Sequence, residues 1–216
     1  MTPDRVIGVD LGGTKLLAGA VDPALEVHYR ATRPAAAPDL ATLLDRVVDE
    51  VQEAVSGAGA PVSAVGFGIP SLIDRPRGVA VSTVHLPIAD VAFGEVMSER
   101  LGMQVFVDND ANCAMLAEHR YGAARGARHA VLLTLGTGIG GGVVVEGELL
   151  HGAVGAAAEL GHMVIDMDGP PCQGHCPNRG CLEALCSGSA LGRLGAEVAA
   201  GDPDGALGRA AGAGRE

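Results

Sequence analysis

The chain has 216 residues, 48% of them hydrophobic and 19% charged, which is enough to build one large domain or two small lobes and too apolar for a disordered tail. A formal net charge of −11 argues against a generic nucleic-acid or anionic-membrane surface, which Lys and Arg would have to supply. It leaves room for a nucleotide held by backbone N–H groups and a metal ion.

Trp is absent and aromatic residues reach only 2%, so the core must be aliphatic, while 33 glycines point to tight turns and close backbone approaches. The first ten residues lack the basic start and apolar run of a secretory signal, and no apolar stretch approaches the length of a membrane span. The expectation is a cytoplasmic, reducing location, where clustered cysteines more often mean metal than disulfide.

Residues 6–11 form a β-branched run that ends in Asp10 and Leu11 and feeds directly into Gly12-Gly13-Thr14-Lys15. A strand running into a Gly-Gly-Thr turn suits a phosphate cradle, because successive N–H groups can face an anion and the Thr hydroxyl adds a donor. Asp10 at the strand end suits Mg²⁺, a hard cation that prefers oxygen. An ordinary glycine hairpin turn is the competing reading. Residues 16–21 continue as a second strand, which Asp22-Pro23 ends.

Leu40, Leu43, Leu44, Val47, Val48, Val51 and Val55 recur at helical spacing, which predicts an amphipathic helix with Asp39 as N-cap and Gly57 beyond its end. Residues 62–68 read as a buried strand that delivers Gly66 to Ser71, either a close approach to a ligand or a plain Gly-Pro turn. A weaker helix is predicted over 91–101.

Residues 104–107 form another buried strand running into Asp108-Asn109-Asp110-Ala111-Asn112, with helix expected over 113–121. Polar residues at the end of a strand and the start of a helix occupy the usual ligand position of an open α/β sheet. Asp110 is the candidate general base, unless Asn109 or Asp110 simply caps the helix.

The strand at 130–135 leads into Gly136-Thr137-Gly138-Ile139-Gly140-Gly141-Gly142, with 143–145 as its partner and a turn at 146–148. This repeats the first motif, and two such turns on opposite lobes could grip one nucleotide from both sides. After Cys181 a helix is expected to residue 200, interrupted at Gly188 and Gly192, and 201–216 reads as a loose end.

Between Glu159 and Glu183 lie three of the five cysteines, Cys172, Cys176 and Cys181, with His162 shortly upstream. Three thiolates and an imidazole form one of the structural ligand sets of zinc. A cysteine-containing loop that binds nothing is the alternative.

With these motifs in hand, the chain resembles the ROK family of sugar kinases and sugar-responsive repressors, most closely its bacterial glucokinases, from about Val6 to Ser187. The resemblance rests on Asp10-Leu-Gly-Gly-Thr-Lys15, on Leu135-Gly-Thr-Gly-Ile-Gly-Gly-Gly142, on Asn109-Asp-Ala-Asn112, and on Glu159-Leu-Gly-His162 with Asn178-Arg-Gly-Cys-Leu-Glu183. It implies an α/β, actin-like and ribonuclease-H-like fold of two lobes with an intervening cleft, the N-terminal lobe at 1–108 and a C-terminal lobe at 109–216 carrying the zinc loop (172–181).

The chemistry it implies is transfer of the ATP γ-phosphoryl group to a hexose hydroxyl, with glucose foremost and fructose, mannose or an N-acetylated hexosamine as alternatives. Asp110 is then the base, and Asn109, Glu159, His162 and Glu183 hold the sugar. Asp10, Gly12, Gly13, Thr14, Lys15, Gly136, Thr137, Gly138 and Gly140 serve ATP and Mg²⁺, while His162, Cys172, Cys176 and Cys181 hold Zn²⁺. A homodimer is also implied.

The chain departs from the family pattern in three ways. Cys172 and Cys176 lie four residues apart instead of two, which makes His175 a minor competitor as ligand. Ser71 and His85 stand where glycine and asparagine are usual, on the expected sugar-facing wall. The chain also stops soon after the cysteine loop, so the second lobe is expected to be incomplete. A sugar-sensing regulator and a non-catalytic sugar-binding remnant are the alternatives to an enzyme, and only about five residues precede Val6 to hold a DNA-binding helix pair.

Overall fold

The computed structural model describes residues 4–84, 86–174 and 176–213, so His85 and His175 lie outside the described residues. By its internal contacts the chain divides into two compact units, Met1–Val131 with Gly142–Ala158, and Leu132–Gly141 with Glu159–Glu216.

The first unit is built on a five-stranded sheet of order β3-β2-β1-β4-β8. β1 (Arg5–Leu11) and β2 (Lys15–Val21) alternate as a half-buried sheet requires, placing Ile7, Val9, Leu11, Leu16, Ala18 and Ala20 in the core. β3 (Val27–Pro34), a strand with little apolar pattern, extends this antiparallel meander. β4 (Val62–Ile69) and β8 (Gln104–Asn109) run parallel to β1.

Parallel neighbours need crossovers, and the connecting helices supply them. The first is α1 (Leu40–Gly57), which buries Leu43, Leu44, Val47, Val51 and Ala54. Asp39 caps it as expected, its carboxylate accepting the Thr42 N–H at 2.8 Å. Glu50 on the same helix is fully buried and ion-paired with Arg33. The second crossover is α2 (Phe93–Leu101), whose Phe93 meets Phe67 edge to face with ring centroids 5.3 Å apart. Its start at Phe93 leaves Val91 in a small sheet of β5 (Ile73–Asp74), β6 (Val79–Ser82) and β7 (Ala89–Val91), which the sequence did not announce.

β8 runs into α3 (Asp110–Tyr121). A third sheet contains β9 (Ala130–Leu135), β10 (Ile139–Val145) and β11 (Glu148–Leu149) in the order β11-β10-β9. The turn before β11 has Glu146 at φ 53° and Gly147 at φ 83°, the left-handed pair that a two-residue hairpin turn demands.

In the second unit a short 3₁₀ turn at Leu160–His162 precedes the cysteine loop, which two isolated bridges pin, Val164 with Cys181 and Pro171 with Arg179. Three helices follow: α4 (Leu182–Cys186), α5 (Gly188–Gly201) and α6 (Ala206–Ala213). The expected break at Gly188 is present, because Ser187 caps a new helix by accepting the Ala190 N–H at 3.2 Å. Gly192 lies inside α5 and interrupts nothing. The segment expected to be a loose end instead holds α6, whose alanines favour helix more than its glycines oppose it. Among the described residues no helix is long and apolar enough to cross a membrane.

Candidate functional site

In the first unit the carboxyl ends of the three parallel strands meet. Asp10 is in register with Gly68, and Gly68 with Asp108. Gly68 eases the fit there, since a Cβ would lie 3.3 Å from the Asp110 Cα and 3.5 Å from the Cys113 sulfur. Its absence lets the first turn of α3 settle onto the sheet.

The cap of α3 is Asn109, whose side-chain oxygen accepts the N–H groups of Ala111 and Asn112 at 3.0 and 3.1 Å. The Asn109 amide nitrogen donates to the Ser71 carbonyl at 3.4 Å. Asp110 is thereby the first helical residue, and its carboxylate accepts the Ala111 N–H at 2.8 Å. Burial raises the Asp110 pKa, partly offset by that backbone bond. Asp10 is raised too, by loss of water on its covered side and then by the nearby Asp110 carboxylate. Two carboxyls that both resist ionisation suit proton acceptance and cation binding. Cys113 beside them is pushed up to about 12 by burial and the three neighbouring aspartates, which makes it a packing thiol and not a nucleophile.

Sequence reasoning passed over the group behind this cap. Asp108 accepts the Asn109 N–H at 2.8 Å, the Asn112 side-chain N–H at 3.2 Å and the His151 Nε2–H at 2.8 Å. Arg75 donates to His151 Nδ1 at 3.0 Å, which leaves Nε2 as the protonated nitrogen facing Asp108. Asp108 was visible in the Asp-Asn-Asp run, whereas nothing about an isolated Leu-Leu-His could have marked His151. Ser71, expected on a sugar-facing wall, is buried, and its hydroxyl donates to the Leu72 carbonyl and accepts the Ser82 N–H at 2.9 and 3.3 Å.

The first glycine turn closes on itself, Gly12 N–H donating to the Lys15 carbonyl at 2.8 Å and leaving Thr14 and Lys15 exposed. In the second unit, Gly136 N–H donates to the Gly138 carbonyl at 3.0 Å, and the turn is gripped from outside. Glu183 accepts the Ile139 N–H at 2.7 Å, while Gly188 and Ser189 N–H groups donate to the Gly136 and Thr137 carbonyls at 2.8 and 3.2 Å.

Also in the second unit, His162, Cys172, Cys176 and Cys181 come together with their ligand atoms all within 4.8 Å of one another. His162 Nδ1 lies 3.3 Å from the Cys172 sulfur, and its Nε2 lies 3.9 Å from Glu159. The geometry fits zinc. Sulfurs on tetrahedral Zn²⁺ with bonds of about 2.3 Å stand about 3.8 Å apart, and those of Cys176 and Cys181 are 4.0 Å apart. Burial and the adjoining thiols push Cys172 up to about 12, the crowding that a divalent cation relieves by taking the thiolates as ligands. The wide Cys172–Cys176 spacing is accommodated by a turn in which Cys176 N–H donates to the Gln173 carbonyl at 3.3 Å.

A five-stranded sheet of mixed direction, with carboxylates at the ends of its parallel strands and a glycine turn directly after β1, defines the actin-like, ribonuclease-H-like α/β class. The family model described as the ROK family matches residues 6–204, and the chain belongs to that family. It is 41% identical over 192 residues to a glucokinase of Thermotoga maritima, covering 88% of this chain and 59% of that one. A Streptomyces coelicolor glucokinase is 37% identical over 200 residues, covering 92% of this chain and 61% of the relative.

The chain thus spans about six-tenths of the length of these relatives. Among solved structures, a ROK family glucokinase from Streptomyces griseus in complex with glucose and AMPPNP superposes with a TM-score of 0.80 at 35% identity, over 93% of this chain and 62% of that one. The ROK hexokinase of Thermus thermophilus gives 0.75 at 38% identity, over 90% and 64%.

Proposed function

We propose that the chain carries the machinery of a cytoplasmic, ATP-dependent hexose kinase, with glucose as the foremost substrate. The observation that carries the reading is Asp110, a half-buried carboxylate of raised pKa at the head of α3, directly after the parallel strand β8, in a chain similar to named glucokinases. Phosphoryl transfer leaves a protein mainly positioning and charge neutralisation to perform, plus one base for the hydroxyl proton.

Asp110 takes that proton, and its raised pKa makes it a better acceptor than an exposed aspartate. Asn109, Glu159, His162 and Glu183 hold the sugar hydroxyls through the amide, imidazole and carboxylate groups suited to them. The turns Gly12–Lys15 and Gly136–Gly140 offer N–H groups to phosphate, and Asp10 would hold Mg²⁺, which neutralises charge between phosphates. His162, Cys172, Cys176 and Cys181 would hold Zn²⁺ in a structural role.

A second reading, an N-acetylated hexosamine as substrate, has support in the N-acetyl-D-glucosamine kinase of Photobacterium profundum, 35% identical over 198 residues. A coupled assay for ADP release over glucose, mannose, fructose and N-acetylated hexosamines separates the two. Asp110→Asn should lower turnover by about 10²–10⁴-fold, the usual worth of a positioned base, while glucose binding measured by calorimetry persists. Undiminished turnover in that variant would remove Asp110 from its role.

A further inference from the structure

In the second unit, Ile139 is held from both sides by segments that carry ligands of the Cys/His cluster. Its N–H donates to the Glu183 carboxylate at 2.7 Å, and Glu183 lies two residues after Cys181. Its carbonyl lies against the backbone of Gly161, one residue before His162, so close that a Cβ on Gly161 would come within 2.1 Å of the oxygen. The corner after α4 adds to the grip: Gly188 and Ser189 hold the Gly136 and Thr137 carbonyls. Ser187, which caps that corner, accepts a hydrogen bond from the Gln173 side chain at 3.1 Å, and Gln173 follows Cys172. Glu183, Gly161 and Gln173 thus each lie within two residues of a cluster ligand, and Gly188 and Ser189 are tied to the cluster through Ser187 and Gln173.

We infer that Glu183 is a positioning residue for the Gly136–Gly140 turn, and that metal loading of the Cys/His cluster fixes Glu183 and so sets the shape of that turn. A carboxylate has two oxygens, and the one bonded to Ile139 leaves the other for a sugar hydroxyl. The role is thus added to that expected from the sugar reading, and its importance for nucleotide rests on the proposal that this turn holds phosphate.

The consequence is specific. Sugar ligands bind sugar, but a residue that shapes the phosphate turn also changes nucleotide affinity when no sugar is present. Glutamine can still accept the Ile139 N–H through its amide oxygen, whereas alanine cannot.

The test compares the zinc-loaded protein with Glu183→Gln, Glu183→Ala and Gln173→Ala, and with the parent stripped by a chelator. It reads amide hydrogen exchange at Ile139, with Phe67 in β4 of the first unit as internal control, and binding of a non-hydrolysable ATP analogue without sugar. In Glu183→Ala, exchange at Ile139 should rise about tenfold or more, the worth of a hydrogen bond to a charged acceptor. Analogue affinity should fall about tenfold, and Glu183→Gln should restore both to within about threefold of the parent.

Chelation should also accelerate Ile139 while Phe67 stays put. Should the stripped protein lose its second unit altogether, Gln173→Ala, which removes no ligand, should still speed Ile139 about two- to fivefold, as loss of one neutral hydrogen bond does. Unchanged Ile139 exchange in Glu183→Ala overturns the positioning role, and unchanged exchange in both the stripped protein and Gln173→Ala overturns its link to the metal. Accelerated exchange with no analogue binding by any form, parent included, supports the tie and brings down the kinase reading alone.

Discussion

The two glycine-threonine turns look like copies in the sequence, yet they are stabilised in opposite ways. The first is local: Gly12 bonds Lys15, Ala35 N–H donates to the Thr14 carbonyl at 3.0 Å, and the partners all come from one three-stranded meander. The second depends on Glu183, 44 residues downstream of Ile139, and on the N-terminus of α5. A short hairpin closes at little entropic cost, whereas the second turn is complete only once a long loop has closed and a cysteine cluster has formed. The first turn should therefore be insensitive to metal and to changes beyond residue 159, and the second should respond to both.

The strongest way to break that contrast is at Gly180, in the middle of the cysteine loop. Its φ is +61°, and an added Cβ would sit 1.5 Å from the Asp166 carbonyl oxygen. That oxygen belongs to backbone and cannot swing away, so Gly180→Ala combines a strained conformation with a hard clash, for a cost of roughly 3 kcal/mol or more. Amide protection at Ile139 should collapse while that of β1 and β2 persists. Loss of protection in both turns together would show that the first is not local after all.

A smaller and more targeted pair is Gly138→Ala against Gly12→Ala. A Cβ at Gly138 would lie 2.3 Å from the Glu183 carboxylate oxygen, the far end of a flexible side chain that can move. The cost is then the displaced hydrogen bond, about 1.5–3 kcal/mol for a charged acceptor. At Gly12 the Cβ meets the Lys15 carbonyl oxygen at 3.3 Å, which a shift of a few tenths of an ångström relieves, so about 1 kcal/mol or less is expected. Urea unfolding of the two variants, with zinc present and then removed, checks the ranking. The Gly138 penalty should shrink when the metal is gone, and the Gly12 penalty should not.

Most of the first unit was legible in the sequence because local patterns agree with the fold. The alternation in β1 and β2, the helical spacing from Leu40 to Val55 and the Asp39 cap all point the same way. β3 escaped notice because Val27 to Pro34 carries three charged or partly charged side chains, His28, Arg30 and Arg33, and owes its strand to pairing with β2.

The site was legible as a list of residues and not as a set of bonds. The sequence offers both Asn109 and Asp110 as caps of α3, and that Asn109 takes the cap and frees Asp110 for the first helical position shows only in three dimensions. Glu183 was marked by its motif, and its bond to Ile139 could not be read because no local spacing encodes a contact across 44 residues. Gly192 misled because glycine weakens a helix without ending it when neither a cap nor a left-handed turn accompanies it.

The mildest lever on the contrast is pH, acting on the carboxyls that flank the first turn. Asp110 has a pKa raised from the ordinary 3.8, chiefly by burial, so the folded state binds that proton more tightly than the unfolded chain does. Stability should accordingly fall as pH rises from the ordinary carboxylate value through the raised one, and remain lower above it. Asp10, raised by burial and by Asp110, adds in the same direction. At neutral pH the ionised Asp110 thus works against folding, and Asp110→Asn should unfold at a higher urea concentration than the parent at pH 7, the advantage vanishing toward pH 4. A variant no more stable than the parent at pH 7, or an advantage that does not change with pH, would mean that Asp110 is adequately solvated. The inference joins stability to chemistry, since the burial that makes this carboxylate costly to ionise also raises its affinity for the proton it is proposed to accept.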